Sequence, residues 1–334
     1  MRVLLFLIAI LSFVSCSKGV KEIVYVKDKV LPGDSDILAA AKDEFEPITK
    51  DELAPKKHPT RIALGQKLYF ENKLSINDKI SCNSCHMLDN FGVDNEPTSP
   101  GHDGTRGGRN SPSVYNAALH FVQFWDGRAK DLAAQAVGPI LNPIEHGLAN
   151  AEEAMKKIST PEYMALFKKA FNRDKKPFRY ENVGRAIAAF EKTLLTPSRF
   201  DDFLNGDIQA LMRVERDGLK TFMDKGCISC HNGKAIGGNS YQKVGLLNEY
   251  ETKDLGRYEI TKDEDDKKHF KVPSLRNITR TAPYFHDGAI ETLDEAIRLM
   301  GHHQLDVKLT DKEVASIKAF LGSLTSKPEH LFRL

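Results

Sequence analysis

The pattern of apolar and polar positions predicts an exported chain with a helical body. An apolar run from Val3 to Leu11 follows one basic residue, Arg2, and has the length of a signal-peptide core. The run is too short to span a bilayer. Beyond Thr60 the apolar positions recur with a helical period and strand signals are scarce. We therefore expect an all-α fold.

Three predicted helices carry an explicit start signal. A side chain able to accept a hydrogen bond precedes a glutamate by three positions at Asn150 with Glu153, Thr292 with Glu295, and Thr310 with Glu313. This spacing satisfies the first free amides of a helix. We expect helices to begin at these three places.

Length and charge limit the organisation of the chain. A chain of 334 residues with 41% hydrophobic and 28% charged residues can bury two ordinary cores. A formal net charge of +2 argues against a nucleic-acid partner. We expect a signal peptide at 1–16, a tether with little packed structure at 17–46, and two domains at 47–200 and 201–334, with a C-terminal tail able to pack back on the first domain.

The end of the apolar leader suggests a lipid anchor. The sequence Phe13-Val14-Ser15-Cys16 resembles a bacterial lipoprotein box, in which Cys16 becomes the lipidated first residue. Ordinary signal cleavage nearby is the alternative, because Phe13 is unusual where such boxes favour Leu. The expectation is a periplasmic protein that is anchored through Cys16.

Two CxxCH motifs carry the chemistry. In Cys82–His86 and Cys227–His231 the cysteines, Cys82, Cys85, Cys227 and Cys230, can bond the vinyl groups of two haems, and His86 and His231 can bind the irons. Zinc is the alternative, but paired CxxC elements usually lie about 15–20 residues apart and leave no role for the histidines. We expect two covalently attached c-type haems and redox chemistry.

The haem motifs belong to a longer internal repeat. Residues that recur 161 positions apart include Pro112-Ser113 with Pro273-Ser274, Asn116 with Asn277, and Phe124, Asp126 and Gly127 with Phe285, Asp287 and Gly288. The two haem histidines are 145 positions apart, which leaves 16 additional residues in the second copy. The pattern predicts two cytochrome c-like domains from an internal duplication.

The two copies differ where a second iron ligand is needed. Met300 corresponds to Pro139, which cannot bind iron, and His102 has no counterpart in the second copy. A His/Met iron has a raised potential and suits electron transfer, whereas an iron with a displaceable ligand can meet substrate. We expect two chemically unequal haems.

A series of motifs resembles the bacterial di-haem cytochrome c peroxidases of the CCP/MauG superfamily. It runs from about Pro55 to Leu324 and comprises LYFENKLSINDKISCNSCH, GHDGTRGGRNSPSVYNA, QFWDGRA, NPIEHG, GCISCHNG, FKVPSLRNITRTAPYFHDG and LMGHHQL. The resemblance implies that the His86 haem is peroxidatic and that His102 is its distal ligand until the other haem is reduced. It also implies that Glu145 is the distal acid, and that Trp125 lies between the haems.

The resemblance further assigns Met300 as the sixth ligand of the His231 haem, with His302 and His303 as weaker alternatives. His146 either assists proton traffic or lines the pocket. A calcium ion bound by Asn110, Thr281 and Pro283 is implied by the resemblance alone, through oxygen ligands that suit a hard cation.

The implied function is reduction of hydrogen peroxide to water with electrons from a small c-type cytochrome or a cupredoxin. Reduction of the C-terminal haem would activate the enzyme, and a homodimer is usual. The alternatives are a non-catalytic di-haem electron carrier and a MauG-like protein oxidase. Relatives of the latter type carry Tyr at the position of Met300 and lack the gate at His102.

Overall fold

The structure is a computed structural model that describes residues 28–53 and 58–327. The predicted signal peptide, Cys16 and the C-terminal tail from 328 lie outside the described residues. No helix within 28–53 and 58–327 combines the length and the apolar character needed to cross a bilayer.

Helices dominate the described chain, so the helical fold class is confirmed. The helices are α1 (Asp34–Glu44), α2 (Lys50–Leu53), α3 (Pro59–Tyr69), α4 (Cys82–Cys85), α5 (Leu132–Leu141), α6 (Ala151–Lys157), α7 (Pro161–Ala170), α8 (Tyr180–Glu191), α9 (Arg199–Leu204), α10 (Arg213–Asp224), α11 (Tyr258–Thr261), α12 (Leu293–Leu305) and α13 (Asp311–Gly322). Short 3-10 segments lie at Asn72–Leu74, Leu88–Asn90, Ala117–Leu119, Ile208–Ala210, Cys227–Ser229, Glu264–Asp266 and Ile278–Arg280. Strands β1 (Tyr241–Lys243) and β2 (His269–Lys271) pair antiparallel, with Tyr241 opposite Lys271.

The three predicted helix starts are confirmed. The Asn150 side chain accepts a hydrogen bond from the Glu153 amide at 2.9 Å, and Thr292 does the same for Glu295 at 3.3 Å. Thr310 and Glu313 cap each other reciprocally. Each polar side chain replaces a partner that the first turn of a helix lacks.

We call residues 58–200 the first half and residues 201–327 the second half. In the first half, α3 packs closely on α8. A Cβ atom on Gly65 would lie 1.9 Å from the carbonyl oxygen of Ala186, so only glycine permits this approach. The rings of Tyr69 and Phe190 meet edge to face at 5.4 Å. The buried core around this helix pair runs from Leu64 to Leu194.

In the second half, α10 packs on α13 in the same way. A Cβ atom on Gly218 would lie 1.9 Å from the carbonyl oxygen of Ser316. Phe222 and Phe320 place their ring centroids 5.4 Å apart within the second core. Each half therefore contains one closely packed helix pair with a glycine at the contact.

The two repeat copies share an unusual backbone geometry. Asn116 and Asn277 both adopt the left-handed region, with φ of 62° and 65°, and each precedes a 3-10 turn. Both donate a side-chain hydrogen bond to the Thr196 hydroxyl, at 2.7 and 3.0 Å. The corresponding parts of the two copies thus meet at a single buried residue.

The halves are also joined by a reciprocal pair of backbone hydrogen bonds. The Asn110 amide donates to the His286 carbonyl at 2.8 Å, and the Lys271 amide donates to the Trp125 carbonyl at 2.7 Å. Asn110 corresponds to Lys271, and Trp125 to His286, in the 161-residue register. Each copy therefore makes the same contact with the other copy.

The expectation of little packed structure at 17–46 is wrong for its described part. Helix α1 lies in the second core, where Ala41 is 0% and Phe45 is 3% exposed. Asp34 pairs with the fully buried Arg216 at 3.2 Å. The high charge content hid this helix, in which the Asp34 charge is paired with a residue far along the chain.

Residues 47–53 also contact the second half, although they were expected in the first domain. The Ile48 amide donates to the Asp201 carboxylate at 2.7 Å, and Glu52 pairs with Lys234 at 2.8 Å. Asp201 in turn receives two hydrogen bonds from the buried Arg276, each at 2.8 Å. The described chain therefore packs on the second half up to residue 53 and enters the first half at α3.

A buried carboxyl closes α8. Glu191 is 5% exposed, and its Oε2 atom has no hydrogen-bond partner. Burial raises the pKa of Glu191 to about 8. In the matching helix pair of the second half, Phe320 packs against Gly218 as Phe190 packs against Gly65, and the residue after Phe320 is the apolar Leu321. The ionisable group is thus present in one helix pair and absent from the other.

Gly218→Ala should destabilise the protein by roughly 1–3 kcal/mol, because the added methyl group forces α10 away from α13. Gly322→Ala is the control, since a Cβ atom there would meet nothing within 4 Å. Urea unfolding of both variants measures the difference. Equal stability of the two variants would contradict the close packing.

Glu191→Gln should remove a fall in stability that the unchanged protein shows as pH rises from 4.5 to about 8. The native carboxyl keeps its proton over this range whereas the unfolded one loses it, so the free energy of unfolding falls by at most about 1.4 kcal/mol per pH unit. Urea unfolding at several pH values tests this. Identical pH profiles for the two proteins would exclude a protonated Glu191.

Candidate haem sites and active site

The first CxxCH motif occupies one helical turn. Ser81 and Ser84 cap α4 reciprocally, and the His86 amide donates to the Cys82 carbonyl at 3.0 Å. Tyr69 donates its hydroxyl hydrogen to the His86 carbonyl at 2.6 Å. These bonds fix the orientation of both thiols and the imidazole relative to α3.

The second motif has a similar arrangement. Cys227 begins a 3-10 turn, and the His231 amide donates to the Cys227 carbonyl at 3.0 Å. Burial lowers the pKa of His231 to about 4, so the ring is neutral at physiological pH. A neutral imidazole is the form that binds a metal.

Both imidazoles fit the role of haem ligand. The buried Nδ1 atoms of His86 and His231 make no hydrogen bond of standard geometry. Each ring lies near backbone carbonyls, those of Gly92 and Pro112 for His86 and those of Ile236 and Pro273 for His231. A metal-binding imidazole usually directs its second ring nitrogen to such a carbonyl, so these surroundings fit a haem ligand. The four cysteines are free thiols, as covalent haem attachment requires.

A cavity of about 240 Å³ lies beside the second motif. Cys227, Cys230, His231 and Met300 all line it. His302 and His303 are absent from its lining, and the His303 Nδ1 atom pairs with the Asn248 carbonyl at 2.8 Å. The geometry favours Met300 over either histidine as the group that faces His231.

Glu145 lines a second cavity, of about 270 Å³, together with Phe124, Arg128 and Asn142. Burial raises the pKa of Glu145, although a 2.6 Å hydrogen bond from Asn142 and the charge of Arg128 act against the rise. The carboxylate also contributes to the raised pKa of the Cys85 thiol, for which burial is the largest cause. Glu145 is therefore close to the first haem motif.

His102 is attached to the segment that carries Glu145. Its amide donates to the Glu145 carbonyl at 2.9 Å, and its Nε2 atom pairs with the Pro143 carbonyl at 3.1 Å. Gly147 has φ of +78°, and a Cβ atom there would lie 2.5 Å from the His102 ring. The two predicted distal residues are thus brought together in the structure.

His146 is buried beside them. Its Nδ1 atom donates to the Leu74 carbonyl at 2.8 Å if the ring carries its proton there. Burial lowers the pKa of His146, which favours the neutral ring. Its role in proton traffic stays open.

Trp125 lies at the junction of the two halves. Its Nε1 atom donates to the Asn110 carbonyl at 2.9 Å, and its ring centroid is 6.4 Å from that of His286. The indole packs against the small second-half cluster of Val244, Tyr250 and Phe270. His286 also belongs to the junction and stacks on Phe270 at 4.2 Å.

The predicted calcium residues lie near one another, since Asn110, Thr281 and Pro283 line the same cavity. The Asn110 side chain donates to the Glu96 carbonyl at 3.0 Å. In the described residues no cluster of three or more His, Cys, Asp or Glu side chains forms a metal site. The calcium assignment therefore stays a prediction.

Sequence reasoning missed two residues at the junction, the half-buried His120 and the buried Lys271. Lys271 is 5% exposed, and its Nζ atom lies 3.4 Å from the Nδ1 atom of His120. The repeat register gave one signal, because it aligns Lys271 with the uncharged Asn110.

Known proteins share this architecture and these motifs. A family profile described as di-haem cytochrome c peroxidase matches residues 59–209. The chain is 46% identical to the cytochrome c551 peroxidase of Nitrosomonas europaea over 285 residues, 84% of either chain. It is 45% identical to the cytochrome c551 peroxidase of Pseudomonas aeruginosa over 292 residues, 85% of this chain and 84% of that one.

A solved structure extends the similarity to the fold. A MauG-like protein associated with microbial copper homeostasis superimposes with a TM-score of 0.72 at 28% identity, covering 84% of this chain and 93% of that one. Taken with the paired haem motifs, these similarities show that the chain belongs to the bacterial di-haem cytochrome c peroxidase family.

Proposed function

We propose that this di-haem peroxidase reduces hydrogen peroxide in the first half, with Glu145 as the acid-base group and with electrons that enter through the second half. The observation that supports this most is the half-buried Glu145 carboxyl, which lines a cavity near the first CxxCH motif. When bound, the first haem supplies the iron at which peroxide is reduced. The overall reaction consumes two electrons and two protons and forms two waters.

Glu145 would move one proton within the bound peroxide. The carboxylate accepts a proton from one oxygen and returns it to the other, which then leaves as water. Burial raises the pKa of Glu145, so its protonated form is more accessible at neutral pH than for an exposed glutamate. The Asn142 hydrogen bond holds the carboxyl in place between the two transfers.

His102 would act as the gate to this site. It would bind the first iron in the oxidised resting state and leave when the second haem is reduced. Support comes from its attachment to the Glu145 segment and from Gly104, Gly107 and Gly108, whose Cα positions have open space around them. A glycine-rich loop can change its backbone angles at little steric cost.

The second half would be the electron-entry domain. His231 and Met300 line one cavity and would both hold the second haem iron, where a thioether ligand would raise its potential. Trp125 lies at the junction between the halves and would couple the two haems. A small c-type cytochrome or a cupredoxin would be the donor, and a periplasmic location would give it access.

The domain assignment is likewise a proposal. The peroxidatic domain would cover 47–200 and the electron-transfer domain 201–334, with α1 and residues 47–53 packed on the latter. The matched geometry of Asn116 and Asn277, and of the two glycine-centred helix pairs, supports an internal duplication. We also propose a bound calcium ion near Asn110, a homodimer and lipid anchoring through Cys16.

Glu145→Gln should reduce turnover of peroxide by about a hundredfold to ten-thousandfold while both haems stay attached, because the amide cannot carry the proton. Steady-state oxidation of a reduced c-type cytochrome by peroxide measures the rate. Glu152→Gln is the control, since Glu152 is exposed on α6. Full activity of Glu145→Gln would exclude its acid-base role.

Met300→His should lower the reduction potential of the second haem, because an imidazole replaces the thioether that favours the reduced iron. A redox titration followed by absorption measures both haems in one sample. The first haem serves as the internal reference. An unchanged potential would mean that another group binds the second iron.

A further inference from the structure

The buried Lys271 and the half-buried His120 form a basic pair that has no acidic partner among the described residues. Lys271 is 5% exposed, and its Nζ atom lies 3.4 Å from the His120 Nδ1 atom. The other ring nitrogen, Nε2 of His120, is buried and has no partner. Within 28–53 and 58–327 no carboxylate forms a salt bridge with Lys271.

This arrangement is energetically unfavourable on its own. Burial lowers the pKa of Lys271 to about 8 and that of His120 well below its usual value. An ammonium group in a protein interior is normally paired with an anion, because desolvation is otherwise uncompensated. The pair therefore indicates a missing negative group.

The position of the pair identifies the kind of anion. Both side chains line the cavity that Cys227, Cys230 and His231 also line. The ligand that bonds those cysteines is a haem, and a haem carries two propionate carboxylates. A carboxylate that reached Lys271 and His120 would compensate the charge and satisfy the unpaired nitrogen.

We propose that Lys271 and His120 bind a propionate of the second haem. The assignment rests on the proposed function only in placing that haem in the electron-entry half. His120 belongs to the first half, so one residue from each half would hold the same carboxylate. The second haem would thereby contact both halves of the protein.

The structure fixes both residues in place. The Lys271 amide donates to the Trp125 carbonyl at 2.7 Å. The Phe121 amide donates to the Gly238 carbonyl at 3.0 Å, and a Cβ atom on Gly238 would lie 2.4 Å from the His120 ring. The Lys271 side chain would thus bind the propionate, while the Lys271 backbone is hydrogen-bonded to Trp125.

The site exists in one copy of the repeat. In the 161-residue register Lys271 aligns with Asn110 and His120 aligns with Thr281. The first haem therefore lacks the corresponding cation. Because a nearby cation offsets the carboxylate charge and favours the reduced iron, Lys271 would raise the potential of the second haem relative to the first.

The test is a redox titration of the di-haem holoprotein with Lys271→Met, Lys271→Arg and Lys243→Met. We expect Lys271→Met to lower the reduction potential of the second haem relative to the first by at least about 59 mV. This corresponds to about a tenfold change in the equilibrium constant for electron exchange between the haems. Lys271→Arg should keep the reduction potential of the second haem close to that of the unchanged protein. Lys243 is exposed on β1, so its variant should not differ from the unchanged protein. An unchanged potential in Lys271→Met would overturn the proposal.

A second measurement covers the case in which Lys271→Met does not take up haem. The infrared difference spectrum between oxidised and reduced His120→Asn protein, prepared with haem labelled with ¹³C at the propionates, reports the carboxylate directly. A shift of the labelled band relative to the unchanged protein supports the assignment, and an unshifted band excludes it. Peroxide turnover is not part of either readout, so failure of the proposed function would be seen separately.

Discussion

The structure depends on the junction where two segments that are 161 residues apart in register are joined by a matched pair of backbone hydrogen bonds. Asn110 donates to His286 and Lys271 donates to Trp125, at 2.8 and 2.7 Å. Because these bonds use backbone atoms, they persist while the side chains differ between copies. One scaffold can therefore present Asn110 and Trp125 on one side and Lys271 and His286 on the other. At this junction the backbone contacts match, but the side chains that they carry differ in chemistry.

The same division holds at the two haem motifs. The first motif lies near Glu145, whose segment also carries the attachment of His102, whereas the second shares a cavity with Met300. A polar, proton-bearing pocket suits reaction with peroxide, and a thioether-capped site suits electron transfer.

Much of this could be predicted from local sequence, because caps and haem motifs act over a few residues. Asn150, Thr292 and Thr310 begin helices where their spacing to glutamate indicates, and the CxxCH turns place thiols and imidazole together. Helix α1 could not be predicted from local sequence, because its charged residue Asp34 is paired with the distant Arg216. The buried Lys271 and Glu191 were missed for the same reason: burial depends on contacts far along the chain.

The central claim is that the two haem irons are unequal and that one of them opens. Absorption and electron paramagnetic resonance spectra of the half-reduced holoprotein test it most directly. The account predicts that the first haem becomes high-spin as His102 leaves, while the second stays low-spin with its Met300 ligand. If both haems keep the same low-spin ligands in the oxidised and half-reduced states, the account is contradicted.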